Sequence, residues 1–160
     1  MKKSALFTND VETTSIWLNT LRDETGFKVF DQGMPSLLEI YSKYNIKSTF
    51  FFTGYIAKLI PNIVRMIVDE GHEVASHGLS HLKEDGFDVM PLERQKKHLV
   101  ETKKILEDIS GQEVISFRAP ALRVNEDTPM ALIEAGYKID SSIASQRFDF
   151  FLSFGGFKKL

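Results

Sequence analysis

The 160-residue chain has no cysteine. That excludes disulfides and thiolate metal ligands, and is consistent with a reducing compartment. There is no excess charge of either sign: 20 Lys and Arg against 22 Asp and Glu give a net charge of −2. No basic field exists to hold nucleic acid or anionic lipid. The longest apolar stretches fall far short of the ~20 residues that a membrane span needs. The basic start, Met1-Lys2-Lys3, is followed by an apolar run that stops at once in Thr8-Asn9-Asp10. No signal-peptide core follows, so the chain reads as cytoplasmic. Repeats, low-complexity tracts and linkers are also missing, and the length suits one domain over residues 1–160.

What is present is alternation. Short β-prone runs stand at Ser4–Asn9, Lys47–Thr53, His72–Ser76, Glu113–Phe117 and Tyr137–Asp140. Between them lie segments with helical apolar stripes, at Pro35–Tyr44, Pro61–Glu70, Pro91–Ile109 and Pro129–Ala135. Four of the five prolines head these helices, where a missing N–H does no harm, and Thr128 is placed to cap the last. Gly71, Gly111 and Gly136 follow three of them, where a left-handed residue ends a helix. Strand then helix, about five times over, predicts an α/β fold with a parallel sheet. Phe50-Phe51-Phe52 is apolar on both faces, as a covered parallel strand should be.

In such folds sites gather at the C-terminal ends of strands. Asp10 and Glu12 stand at the end of the first run, His77 at the third, Arg118 at the fourth, and Asp140, Ser141 and Ser142 at the fifth. His77-Gly78-Leu79-Ser80-His81 puts two of only four histidines four apart, on one side of a predicted helical turn, where they can grip one ion. Two imidazoles need an anionic partner, and Asp10 and Glu12 are the natural donors. In extended chain they point to the same side, so one can ligate the metal while the other stands near its water. Two imidazoles and a carboxylate suit catalytic zinc and also non-haem iron. Arg118 can keep a neighbouring carboxylate ionised and oriented, and Pro120 biases Ala119 toward extended chain.

The order Thr8-Asn9-Asp10-Val11-Glu12, His77-Gly78-Leu79-Ser80-His81, Arg118-Ala119-Pro120-Ala121-Leu122 resembles the polysaccharide deacetylase (NodB-homology) family, whose motifs are Thr-Phe-Asp-Asp, His-(Ser/Thr)-x-x-His and Arg-x-Pro-(Tyr/Phe)-Gly. The stretches "STFFFTG", "GHEVASHGLSH" and "GYKIDSS" strengthen the likeness, which runs from about Leu6 to Ser142. The resemblance implies a distorted (β/α) barrel and a metal-dependent hydrolase, zinc being the usual ion. Such an enzyme removes an N-acetyl or N-formyl group from an amino sugar in a polysaccharide or carrier-linked glycan. It implies His77 and His81 as ligands, an acid of motif one as base, and the backbone N–H of Ala121 as oxyanion donor. His72 reads as structural.

Motif one admits two registers. Pairing Asn9-Asp10 with the family aspartates leaves Asp10 as ligand and no base. Aligning Thr8 with the family threonine makes Asp10 the base and Glu12 the ligand, an acid-x-acid arrangement that some family members use. The second is preferred, because it fills both roles. The late Leu-x-His motif, source of a general-acid histidine, is missing after His98. With about five β/α units the chain is expected to form an incomplete barrel, truncated at its C-terminal end. A phenylalanine-rich tail, Arg147–Leu160, is expected to pack on another chain, possible as a homo-oligomer. An inactive carbohydrate-binding or regulatory protein on the same fold is the alternative. An iron(II) oxygenase is disfavoured by the parallel α/β pattern.

Overall fold

The computed structural model describes residues 4–13 and 20–143; the tail expected to mediate self-association lies outside them. Five strands, β1 (Phe7–Val11), β2 (Ser48–Phe52), β3 (Glu73–Ser76), β4 (Ser116–Phe117) and β5 (Ile139–Asp140), form one sheet in chain order. Every neighbouring pair is parallel. Helices α1 (Asp23–Lys28), α2 (Met34–Lys43), α3 (Gly54–Leu59), α4 (Pro61–Asp69), α5 (Leu92–Ser110) and α6 (Thr128–Glu134) make the crossovers. Among the described residues β1 and β5 do not pair with each other. The fold is therefore an incomplete (β/α) barrel, open between its first and last strands.

The local punctuation acts as expected. Pro61 opens α4, Pro35 and Pro129 occupy the second residue of α2 and α6, and Pro91 directly precedes α5. Gly71, Gly111 and Gly136 all take φ near +70° after their helices, a conformation that costs other L-residues about 1–2 kcal/mol. Phe50 and Phe52 are fully buried in the core, against Ile56, Ile63, Ile67, Leu99 and Leu106. Phe51 points to the opposite face of β2, where the Arg118 guanidinium lies 4.2 Å from its ring.

Three expectations need correction. Strand β1 runs to Val11, so Asp10 lies inside it and Glu12 is the first residue beyond. Pairing with all of β2, from Phe7 opposite Ser48 to Val11 opposite Phe52, sets that end, and it overrides the polar residues that suggested an earlier stop. Asp140 closes β5, as the run Tyr137–Asp140 predicts. Thr128 does not cap α6: its hydroxyl exchanges hydrogen bonds with Asn125, accepting from the backbone N–H at 3.1 Å. Helices α1 and α3 escaped prediction, as did the π-helical Val29–Gly33 that joins α1 to α2. α1 and α3 span only six residues each and the π-helix five, too few for a periodic stripe to show.

Two outcomes follow. Truncating the fully buried Phe52 to alanine leaves a cavity beneath the sheet and should lower the free energy of unfolding by about 3–5 kcal/mol, read from urea denaturation. Burial holds the imidazoles of His72 and His98 below their ordinary range. Above the unfolded value of about 6.5 both are neutral in either state; below it the unfolded chain binds the extra protons, so stability is lost as pH falls. The metal-free protein should melt at a lower temperature at pH 5.5 than at 7.5. His98→Asn should shrink the difference, and an unchanged difference would count against His98.

Candidate metal centre and active site

The parallel register brings the C-terminal ends of β1, β3 and β4 to one edge. Glu12, His77 and His81 meet there, each offering one ligand atom, all within 4.8 Å of one another. The two Nε2 atoms lie 3.3 Å apart; Glu12 Oε2 is 2.5 Å from His81 Nε2 and 4.0 Å from His77 Nε2. Both histidines are buried and Glu12 is largely so.

His77 and His81 are not on a helical turn. Residues 77–82 form an irregular loop. Gly78 takes φ +69°, and a Cβ there would sit 3.1 Å from the Phe87 ring and 3.3 Å from Pro120. The loop is pinned at successive residues: His77 N–H donates to Phe52 O at 2.7 Å, while Gly78 O and Leu79 O accept from Gly54 and Tyr55 N–H, each at 2.9 Å. Helix α3, absent from the sequence reading, thus supplies the anchor for the histidine pair.

His77 Nδ1 donates to the Arg118 carbonyl at 2.7 Å, because that oxygen can only accept. Its Nε2 is left with a lone pair facing Glu12 and His81. Burial is the largest cause holding this imidazole below its ordinary range, which keeps it neutral, the state a ligand needs.

The donor set fits a divalent cation. Glu12 Oε2 is buried with no hydrogen-bond partner; its approach to His81 lacks hydrogen-bond alignment. A desolvated carboxylate oxygen in that state is costly unless a cation compensates it. Donors 2.0–2.1 Å from a tetrahedral ion stand about 3.3 Å apart, the separation of the two imidazole nitrogens.

Asp10 stands beside this group, Oδ2 at 3.9 Å from His77 Nε2. Arg118 holds it: Nη1 donates to Asp10 Oδ1 at 2.7 Å, while Nη2 donates to Thr8 Oγ1 at 3.1 Å and Ser141 Oγ at 2.8 Å. Asn9 points away from the cluster, donating to Ser48 Oγ at 2.9 Å and accepting from the Tyr41 hydroxyl at 3.2 Å. His72 also lies apart, its Nδ1 accepting from Ser48 N–H.

Ala121, in the turn Pro120–Leu122 after β4, takes φ +54° and ψ +20°, an unusual conformation for a residue with a Cβ. Its N–H has no partner among the described residues. Asp140 does not reach the cluster. It accepts from Ser142 N–H at 2.9 Å and Ser142 Oγ at 2.5 Å, and Ser142 Oγ accepts from Ala119 N–H at 2.8 Å. It supports the loop leading to Ala121. Sequence reasoning missed Thr8, Ser141 and Ser142 as supports of Arg118 and Ala119, because only the folded sheet makes them neighbours.

One sheet edge thus carries a His₂-carboxylate group, a possible metal site, next to an Arg-held aspartate. Comparison places the chain within a family: the polysaccharide deacetylase model matches residues 19–139, and the protein belongs to that family. A peptidoglycan deacetylase from Helicobacter pylori is 27% identical over 146 residues, covering 87% of this chain and 49% of the relative. A Mycobacterium smegmatis structure described as a polysaccharide deacetylase shares 30% identity at a TM-score of 0.70, over 86% of this chain and 50% of that one. A CE4 family pseudoenzyme from Bacillus anthracis shares the fold at a TM-score of 0.65 and 19% identity, over 84% of this chain and 42% of its own. The chain thus spans about half the length of the relatives it matches.

The tight loop makes a local test. Gly78→Ala should destabilise the protein by at least about 1–2 kcal/mol and weaken divalent-metal binding, both read by thermal melts with and without zinc. Unchanged melting in both conditions would count against the constraint.

Proposed function

We propose that the protein is a metal-dependent hydrolase removing an N-acetyl or N-formyl group from an amino sugar of a polysaccharide or carrier-linked glycan. The observation that carries this reading is the convergence of Glu12, His77 and His81 beside an aspartate clamped by Arg118. The peptidoglycan deacetylase relative supports the substrate class. Glu12, His77 and His81 would hold the ion, zinc suiting the donor set best. When bound, it would polarise the amide carbonyl and lower the pKa of water.

The chain's own residues do the rest. Asp10 accepts the proton of the attacking water as general base. Arg118 fixes the direction of that carboxylate through a charge-assisted hydrogen bond. The Ala121 N–H donates to the oxyanion that develops on the former carbonyl oxygen. Asp10 then returns the proton to the leaving nitrogen as the C–N bond breaks, giving carboxylate and free amine.

A carbohydrate-binding protein without catalysis is the second reading. One observation favours it: neither His72 nor His98 reaches the cluster, so among the described residues no third imidazole is available as a separate acid.

Bound metal and acetate release from N-acetylglucosamine oligomers should be measured together. Asp10→Asn should lower kcat by about 10²–10⁴-fold while the metal stays bound. Glu12→Gln should lose metal. Metal without acetate release would favour the second reading, and a metal-free wild type would sink both roles.

A further inference from the structure

The two imidazoles are held in different ways. The His77 ring is fixed through its Nδ1, bonded to the Arg118 carbonyl. The His81 Nδ1 has no hydrogen-bond partner among the described residues. Its placement therefore rests on its backbone, and the residues flanking it are tied to one side chain.

Ser80 is buried, and its hydroxyl does two things. It accepts from Leu82 N–H at 3.1 Å, bracketing His81, and donates to Asp85 Oδ2 at 2.5 Å. Asp85 is itself buried, in the short 3₁₀ turn Lys83–Asp85. Its other oxygen, Oδ1, accepts from Arg94 Nη2 of α5 at 3.3 Å and lies 3.8 Å from His98 Nδ1, a buried atom without a hydrogen bond. A carboxylate this desolvated is retained at a cost unless its bonds do something specific.

We propose that Asp85 is a positioning residue for the metal site, setting the backbone of His81 through the Ser80 hydroxyl and anchoring it to α5. The proposal rests on the reading of Glu12, His77 and His81 as metal ligands. No step of the reaction touches Asp85. Its effect is to hold one ligand near its bound place before the ion arrives, so its loss acts on metal affinity and coordination geometry. Outer groups of this kind are worth about 10–100-fold in affinity.

The test measures zinc affinity and the visible absorption of the cobalt-loaded intact protein. The variants are Asp85→Ala, Asp85→Asn, Ser80→Ala and the double Ser80→Ala/Asp85→Ala, with Glu84→Ala as an exposed control. Asp85→Ala should weaken zinc binding about tenfold or more and alter the cobalt spectrum. Ser80→Ala should act in the same direction, and the double variant should be no weaker than the worse single one, since both cut one chain of contacts. Asp85→Asn keeps an acceptor for Ser80 and should recover most of the loss. If Asp85→Ala unfolds without metal, Ser80→Ala carries the comparison. Wild-type affinity and spectrum in Asp85→Ala, or fully additive losses, would overturn the proposal. A wild type that binds no metal would instead overturn the ligand assignment beneath it.

Discussion

The site depends on Arg118 more than on any other single residue. Its side chain bonds Asp10 and Thr8 of β1 and Ser141 beyond β5, while its backbone carbonyl fixes the His77 ring. The proposed base and one proposed ligand are thus referred to one residue. Strands β1 and β4 are separated by β2 and β3. In a flat sheet three strand spacings amount to about 14 Å, beyond the reach of an arginine side chain. The bond to Asp10 therefore requires a sheet curled toward its open face, as in a barrel. Phe51 of β2 fills the space beneath the guanidinium, which stacks on the ring as it crosses. Curvature, cation–π stacking and the ion pair are one arrangement.

The constraint also explains which parts of the fold were legible. Parallel topology showed in the prolines before and the glycines after helices, because those residues act through their own φ and need no partner. The stripe of α4 showed because Ile63, Val64 and Ile67 face the core on one side. What did not show was set by distant contacts. Strand β1 extends through Asp10 because β2 is long enough to pair with it. Helix α3 forms where Thr53 accepts from Ile56 N–H, and where Gly54 and Tyr55 dock on the histidine loop. No periodicity in six residues announces that.

The site divides in the same way. Residue types were legible: two acids with one residue between them at one strand end, two imidazoles four apart at another, a guanidinium at a third. Their orientation was only half legible. Alternation along a strand separates Asn9 from Asp10, and the structure places Asn9 with Ser48 and Tyr41, away from the cluster. The helical turn assumed for His77 and His81 was wrong, because the i, i+4 spacing is satisfied equally by a loop that Gly78 bends and Phe52, Gly54 and Tyr55 pin. The residues around the proposed site, Ser80, Asp85, Ser141 and Ser142, are ordinary polar letters in sequence. Only the fold chooses their partners.

Rigidity is distributed accordingly. The face that would receive substrate is where bonding is incomplete: Glu12 Oε2 without a hydrogen bond, Ala121 N–H without a partner, Asp10 with one oxygen turned to His77. Directly behind it the backbone is tied down, from the pinned histidine loop to Ser142 under Ala119. Unsatisfied groups in a folded protein cost free energy, so they survive where surrounding structure holds them and a ligand compensates them. The contrast between a pinned backbone behind and unmet bonding capacity in front is what separates this edge from an ordinary polar strand end. It also ranks the three motifs. The histidine loop is pinned by backbone hydrogen bonds, Arg118 couples that loop to β1, and the acids at the end of β1 carry the unmet bonding capacity on which chemistry would draw.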